Sequence, residues 1–460
     1  MRRLRYAEPS LWEGFLADEV SDLWEPWMRQ VDRLLEDEDL LDSVFEAQGK
    51  RHAQSSRLGR HQTPAEVVLR MLVLKHVRNW SYEVLVREVR ANLVYRSFCR
   101  IGLEKVPDDK TMVRLGQAIG PEVVRDLHNR IVALAQDHGV TQGRKMRVDT
   151  TVVETNVHYP TDSKLLGDGA RVLTRTMKKV AAEKKGGLKS KLRNRMRSVN
   201  RRVMEVALAA RQKGPQGEER KKGAYRKLVS LTRKVVNQAK RVKAEIAKSR
   251  GRVKQLGEQL DATISRVRQV IRQTVVRVFQ GETHHPEKLV SIFEPHTEII
   301  RKGKASKPTE FGKMVKVQEA EGQIVTAYEV FEKRPWDSDL LIPAIESHRQ
   351  RLGRTPRLVA ADSAFYSKAN EEAAHKMGVT QVAIPNRNTR SKERREIQHC
   401  RWFKKGQRWR TGCEGRISVL KRRHGLSRCR YRGLDGVRRW VGLGVIADNL
   451  ISIGNALARA

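Results

Sequence analysis

The sequence predicts an α/β protein: a mixed-sheet core, preceded by a helical region and interrupted by a long basic helical insertion. Three observations carry this. Residues from about 60 to 140 repeat their apolar side chains at helical spacing. In "GRKMRVDTTVVETNV", Met146, Val148, Thr150 and Val152 alternate with Arg147, Asp149, Thr151 and Val153, the period of a strand. Towards the C-terminal end, an apolar run, a helix pattern and a second apolar run follow one another. That order implies parallel strands joined by a crossover helix. The expected division is 1–140, a helical DNA-binding or dimerisation domain; 141–170, the first core strand; 171–285, the basic insertion; and 286–460, the rest of the core with a C-terminal tail.

Charge narrows the function classes. Lys and Arg number 93 against 53 Asp and Glu, a formal charge of +40 over 460 residues. A polyanion is the natural partner of such an excess. No run of about 18 apolar residues stands out and the N-terminus lacks an apolar signal core, so no membrane association and a cytoplasmic location are expected. Cys99, Cys400, Cys413 and Cys429 have no CxxC spacing. They read as reduced thiols, with a zinc site from Cys400, Cys413, His424 and Cys429 as the lesser alternative.

The elements follow in order. "TPAEVVLRMLVLKHV" opens with Thr63 as expected N-cap, Pro64 at the first helical position and Glu66 completing a capping box. Ser81 caps the next helix, Asp108 or Asp109 a short one, and a longer helix runs from Pro121 to His138. Short helices with tight turns fit either a helix-turn-helix DNA reader or a plain packing module. From 171 to 280 there are roughly 33 basic against 7 acidic residues, most of the chain's surplus. Leu228, Leu231, Val235, Val242 and Ile246, then Leu256, Leu260, Val267, Ile271 and Val278, recur near heptad spacing. This predicts a bundle or hairpin of basic helices around a narrow apolar seam. His284 and His285 read as linker, and Asp168 as loop. "FGKMVKVQE" and "QIVTAYEVFEK" form a hairpin across "AEG". A helix ends at Gly353. "PRLVAAD" is a buried strand ending in Asp362. A helix capped by Ser367 and stopped at Gly378 leads to the strand "VTQVAIP". A last helix is expected from Gly412 to His424.

With the insertion set aside, this order resembles the RNase H-like fold of polynucleotidyl transferases. The resemblance implies that the first and fourth strands are central neighbours, with the last helix packed across them. Asp149, Asp362 and Glu414 would then meet at one edge. Glu154 and Asp339 are the rivals to the first two. Converging carboxylates repel one another unless a cation joins them. Oxygen donors suit Mg²⁺, with Mn²⁺ as substitute. Two ions about 3.5–4 Å apart can clamp the attacking and leaving oxygens of a phosphodiester.

The run "WRTGCEGRISVLKRRHGL" sharpens this. At about 100° per residue, Arg410, Glu414 and Lys421 share one stripe, and Cys413, Ile417, Leu420 and His424 an adjoining, buriable one. Arg410, Glu414 and Lys421 resemble the R-E-K part of the Y-R-E-K signature of DDE transposases of bacterial insertion sequences. Gln407 stands where that family has its tyrosine, and Trp409 or Arg408 are candidates to replace it. "RVDTT", "VAADSAFYSKAN" and the N-terminal "TPAEVVLRMLVLKHVRNWSYEVL" with "PDDKTMVRL" also look like that family. The resemblance implies Asp149, Asp362 and Glu414 as catalytic metal ligands. It implies DNA phosphate contacts by Arg410 and Lys421, to which Arg416 is added as a neighbouring base. Trp336 and Trp409 are candidates to stack on an extruded base, and "IRKGKASKPTEFGK" is a candidate DNA-contacting loop. The implied partners are transposon-end and target duplexes, handled by a homodimer. The competing readings are a non-catalytic architectural DNA-binding protein and a nuclease of the same core that performs no strand transfer.

Overall fold

The computed structural model describes residues 1–6, 14, 18–50, 61–283, 288–301 and 308–459. His284, His285 and residues 302–307 of the loop expected to touch DNA lie outside them. The chain forms two compact units, one from residues 1–156 and 302–460, the other from 157–301.

In the first unit, helices α1 (Pro26–Leu34), α2 (Glu38–Gly49), α3 (Ala65–Val77), α4 (Tyr82–Ala91), α5 (Leu93–Phe98), α6 (Asp109–Ala118) and α7 (Pro121–Asp137) precede strand β1 (Lys145–Glu154). Ser81 and Asp108 cap α4 and α6 as expected, accepting from the N–H groups of Val84 and Thr111. Thr63 does not cap α3. The N-cap is Pro64, which offers no side-chain acceptor, and the N–H groups of Ala65 and Glu66 donate instead to the carbonyls of Arg3 and Leu4. Glu66 is freed from a capping box and pairs with the buried Arg70. Residues 65–76 of α3 are all buried, so this helix is core and cannot enter a DNA groove.

One buried charge in α3 carries a testable cost. Lys75 is 2% exposed, its ammonium 4.8 Å from the Tyr82 ring centroid, 5.1 Å from Tyr431 and 4.8 Å from Trp440. Burial, aided by the nearby Arg430 charge, brings the ammonium down to about 7. Between about 7 and the ordinary lysine value near ~10.4, the unfolded chain holds a proton that the folded chain has released. Stability therefore rises with pH through that window, and the cost is complete below it. The three rings offset part of it. Lys75→Met should stabilise the protein by about 2–4 kcal/mol near neutral pH, with the gain in melting temperature shrinking towards pH ~10.

The second unit holds α8 (Asp162–Glu183), α9 (Met196–Ala209), α10 (Pro215–Glu245) and α11 (Gly251–Phe279), and a short strand over Glu298–Arg301. The insertion therefore starts near 157 rather than 171, because Thr161 caps α8 through the N–H of Lys164. Asp168 lies inside that helix, 2.6 Å from Arg171, not in a loop. The expected seam exists: Leu228, Val235, Val242, Ile246, Leu256, Leu260, Val267 and Ile271 are buried, with Leu231 and Val278 packed at the margin.

Back in the first unit come β2 (Thr309–Glu319), β3 (Val325–Val330), α12 (Leu341–Leu352), β4 (Leu358–Ala360), α13 (Lys368–Lys376), β5 (Gln381–Ala383), α14 (Lys392–His399), α15 (Arg401–Arg423) and α16 (Leu434–Leu457). The sheet order is β3-β2-β1-β4-β5. β2 is antiparallel to β1 and β3, whereas β4 is parallel to β1 and β5 parallel to β4. The first and fourth of these strands are thus neighbours. Helix α15 begins near 401, about three turns earlier than expected. Gly406 and Gly412 allow it to lie close to the sheet: a Cβ at Gly406 would sit 2.6 Å from Ala383 Cβ, and one at Gly412 would overlap the Arg147 guanidinium.

The "C-terminal tail" is in fact the 24-residue helix α16. It is long and apolar enough to cross a membrane by length and composition, contrary to the reading that no such stretch exists. Its apolar residues are instead core. Val437, Trp440, Val441 and Val445 pack with strand residues, and Leu443, Ile446, Leu450 and Ile453 with the N-terminal helices.

Candidate active site at the edge of the sheet

β1 and β4 run in parallel through the pairs Lys145–Leu358, Met146–Val359 and Arg147–Ala360. Asp149 lies two residues beyond the last of these pairs on β1, and Asp362 two residues beyond the end of β4, where it caps the turn Ser363–Phe365. Because side chains alternate, Asp149 shares the face of Arg147. That is the face α15 covers, since Arg147 donates to the Trp409 carbonyl at 2.5 Å. Both acids are half-buried. Asp149 Oδ1 accepts the Thr150 N–H at 2.7 Å, and Asp362 Oδ1 the Ala364 N–H at 2.8 Å. These bonds help to orient each carboxylate.

Helix α15 crosses the strands in order. Gln407 donates to the carbonyls of Ala361 and Ala383, at 3.2 Å to the former, next to Asp362. The residue at the expected tyrosine position thus clamps the ends of two strands. Cys413 is fully buried and close to Asp149; burial, with the Glu319 and Asp149 charges, pushes its thiol up. One residue on, Glu414 is exposed and forms an ion pair with Arg410 at 2.9 Å. Among the described residues, no three His, Cys, Asp or Glu side chains are gathered as a metal-binding group. The two aspartates follow the paired ends of β1 and β4, and Glu414 faces Arg410. For the zinc alternative, Cys413, Cys429 and His424 are buried and Cys400 is exposed.

Two expected DNA contacts are corrected. Arg416 is buried: it donates to both Asp448 oxygens, at 2.9 and 3.0 Å, and to Gln323, with Glu319 at 3.8 Å. Facing the sheet rather than the solvent, it has no route to a phosphate. Trp409 packs with Leu358, Ala360, Ala383 and Phe403 and lies under the Arg147 guanidinium, 4.7 Å from ring centroid to Cζ. One face of its half-buried ring is thus occupied by that cation rather than open to a base. Lys421 and Arg410 are both half-buried, and Arg410 is bound to Glu414. Trp336 is 78% exposed. It immediately precedes Asp337, which accepts from Thr150 Oγ1 at 3.0 Å. Of the rival acids, Asp339 is exposed and Glu154 ends β1, its main chain bound to Ser427 and Cys429.

The sequence reading missed the polar chain beneath α15. Arg147 binds the fully buried Glu319, whose carboxyl burial pushes up although Arg147 draws it down. Arg416 continues the chain to Asp448, and His424 approaches Asp448 at 3.5 Å. Asn449, next along, holds both main-chain groups of Val325. The available signals were Arg147 on the inward period of β1 and the pair Asp448–Asn449 in an otherwise apolar run.

Comparison with known families agrees with these elements. The family described as "Transposase domain (DUF772)" matches residues 24–117, and that described as "Transposase DDE domain" matches residues 368–453. The second span contains Arg410, Glu414 and Lys421; Asp149 and Asp362 lie outside both. ORF8 of the nfe locus of Rhizobium meliloti, itself uncharacterised, is 29% identical over 132 residues, covering 27% of this chain and 64% of that protein, less than two thirds of its length. No solved structure matches. Transposase domains are thus matched on both sides of the insertion, with this order of strands and helices between them, which supports a DDE transposase of an insertion sequence.

Proposed function

We propose that the first unit is an RNase H-like catalytic core that cuts DNA phosphodiesters at the ends of its own element and joins the released 3′-hydroxyls to target DNA. The observation that supports the reading is the parallel pairing of β1 with β4, each followed within two residues of its last pair by an aspartate, Asp149 and Asp362, with α15 and its Glu414 on the same sheet. All three are hard oxygen donors, which fits Mg²⁺ or Mn²⁺. Asp149 and Asp362 would hold the ions from the strands, and Glu414 from the helix once it leaves Arg410. When bound, two such ions activate the attacking oxygen and stabilise the departing 3′-oxygen. The chain's own work is to place these groups. Thr150 and Ala364 N–H groups orient the aspartates, Gln407 fixes the strand ends, and the Arg147–Glu319 pair seats α15. Arg410, released from Glu414, and Lys421 stand on the same helix to hold phosphates flanking the cut, and the exposed Trp336 stands ready to stack on a base. Two element ends must meet in one complex, so the working form is a dimer.

A supercoiled plasmid carrying the inverted repeats that flank the coding sequence tests this in the presence of Mg²⁺. Cleavage at the repeats followed by joined products is expected. Binding without nicking would mark an architectural protein, and nicking without joined products a nuclease.

A further inference from the structure

The second unit has a surface that the sheet-edge chemistry does not use. Helix α10 runs unbroken over Pro215–Glu245, with its buried face formed by Ala224, Tyr225, Leu228, Val229, Val235, Val236, Ala239 and Val242. The opposite face is ordered. Arg220, Lys227, Lys234 and Arg241 recur every seven residues and form one rail; Arg226, Arg233 and Lys240 form a second about 100° away around the helix. Between the rails runs a line with the same repeat: Gly223, Ser230, Asn237 and Ala244. All seven bases are exposed, and no acidic residue occurs between 220 and 244.

A solvated helix normally intersperses signs, because i,i+4 pairs of opposite charge stabilise it and like charges cost similar amounts. This unit does so elsewhere: Lys221 pairs with Glu218, Arg202 with Glu205 and Lys243 with Asp261. The seven rail residues form no ion pair among the described residues; Arg220 meets only the amide of Gln212, and Arg226 lies over the Phe279 ring. Along this face of α10, like charge is ordered into two rails and left unmatched. From 220 to 241 the rails extend roughly 31 Å at ~1.5 Å per residue, close to the ~34 Å of one duplex turn.

We infer that the outer face of α10 is a sequence-independent docking surface for duplex DNA, its two basic rails straddling a phosphodiester backbone over about one helical turn. The inference extends the proposed DNA-joining function by giving the insertion a share of the DNA. Side chains on both rails reach phosphates, and the small, neutral middle line lets the backbone come close. Each neutralised phosphate releases counterions, so every rail residue in contact adds about 0.9 to the slope of log affinity against log salt.

The test uses the full chain and a random-sequence 40-base-pair duplex, titrated across salt concentrations without divalent metal. Replacing Lys227, Arg233, Lys234 and Arg241 together by Gln should lower the salt slope by about 3–4 and weaken binding at least about tenfold at moderate salt. Exchanging Lys for Arg and Arg for Lys at the same four positions should restore both. Each single Gln variant should lower the slope by about 0.9, so the outcome does not depend on the fourfold variant folding. An unchanged slope in the single variants overturns the inference. So does loss confined to a single-stranded RNA of equal length, which would make the surface an RNA site. Failure of the catalytic reading looks different: cutting would survive loss of the aspartates while these slopes still moved.

Discussion

Asp362→Asn is expected to abolish DNA cleavage, by roughly 10³-fold or more, while end binding and melting temperature stay near wild type. On the proposed chemistry, the loss follows from removing one of the carboxylates that would hold a metal ion, whose contribution to the transition state would be several kcal/mol. The sparing of the fold follows from the local bonding. Asp362 Oδ1 accepts the Ala364 N–H at 2.8 Å, and an asparagine Oδ1 can accept the same bond. The short turn Ser363–Phe365 therefore keeps its cap, and only the charge goes. Asp149→Asn has the same logic through the Thr150 N–H. Glu414→Gln removes one exposed i,i+4 ion pair, worth only about 0.3–0.5 kcal/mol, so it too should inactivate without unfolding. The measurement is the plasmid assay beside end binding and a thermal melt. An Asp362→Asn protein that binds ends and cuts them at the wild-type rate would end the proposed chemistry.

Arg416→Ala should behave in the opposite way, losing about 3–5 kcal/mol of stability and several degrees of melting temperature. The sequence offered Arg416 as a phosphate contact. The structure buries it and gives its guanidinium to Asp448 and Gln323. Truncation leaves the Asp448 carboxylate, 3% exposed, facing only His424. A buried unpaired charge costs far more than the pair contributed. Arg416→Lys should recover part of the loss, since an ammonium keeps the charge but not the two-pronged contact. Thermal melts read the effect directly. If Arg416→Ala melted like wild type and lost only DNA affinity, the buried assignment would be wrong.

Much of this architecture was legible because it rests on local periodicity. Period two over 145–154 marked β1, and Ser81, Asp108, Ser367 and Gly353 ended helices where expected. Heptad recurrence gave the seam of the insertion. The misses have physical causes too. Thr63 lost its cap because the N-terminal segment supplied carbonyls to α3, a contact between residues about 60 apart. The beginning of α15 was hidden by basic residues that carry little periodic signal, and α16 by apolar residues on every side, which is what a fully enclosed helix requires. Arg416 and Trp409 were misassigned because a helical wheel gives angles but not which flank meets the sheet.

By itself, the sequence determined most of the strand and helix order, the basic insertion and the resemblance to DDE transposases, and offered three acids as candidates, because all of these are carried by spacing along the chain. Only the tertiary structure decided that β1 and β4 pair in parallel, that Gln407 clamps the strand ends, and which bases of α15 are buried. Those facts depend on strand register and on the side of the helix that desolvation selects. Both are fixed by contacts between residues hundreds of positions apart, which no local pattern encodes.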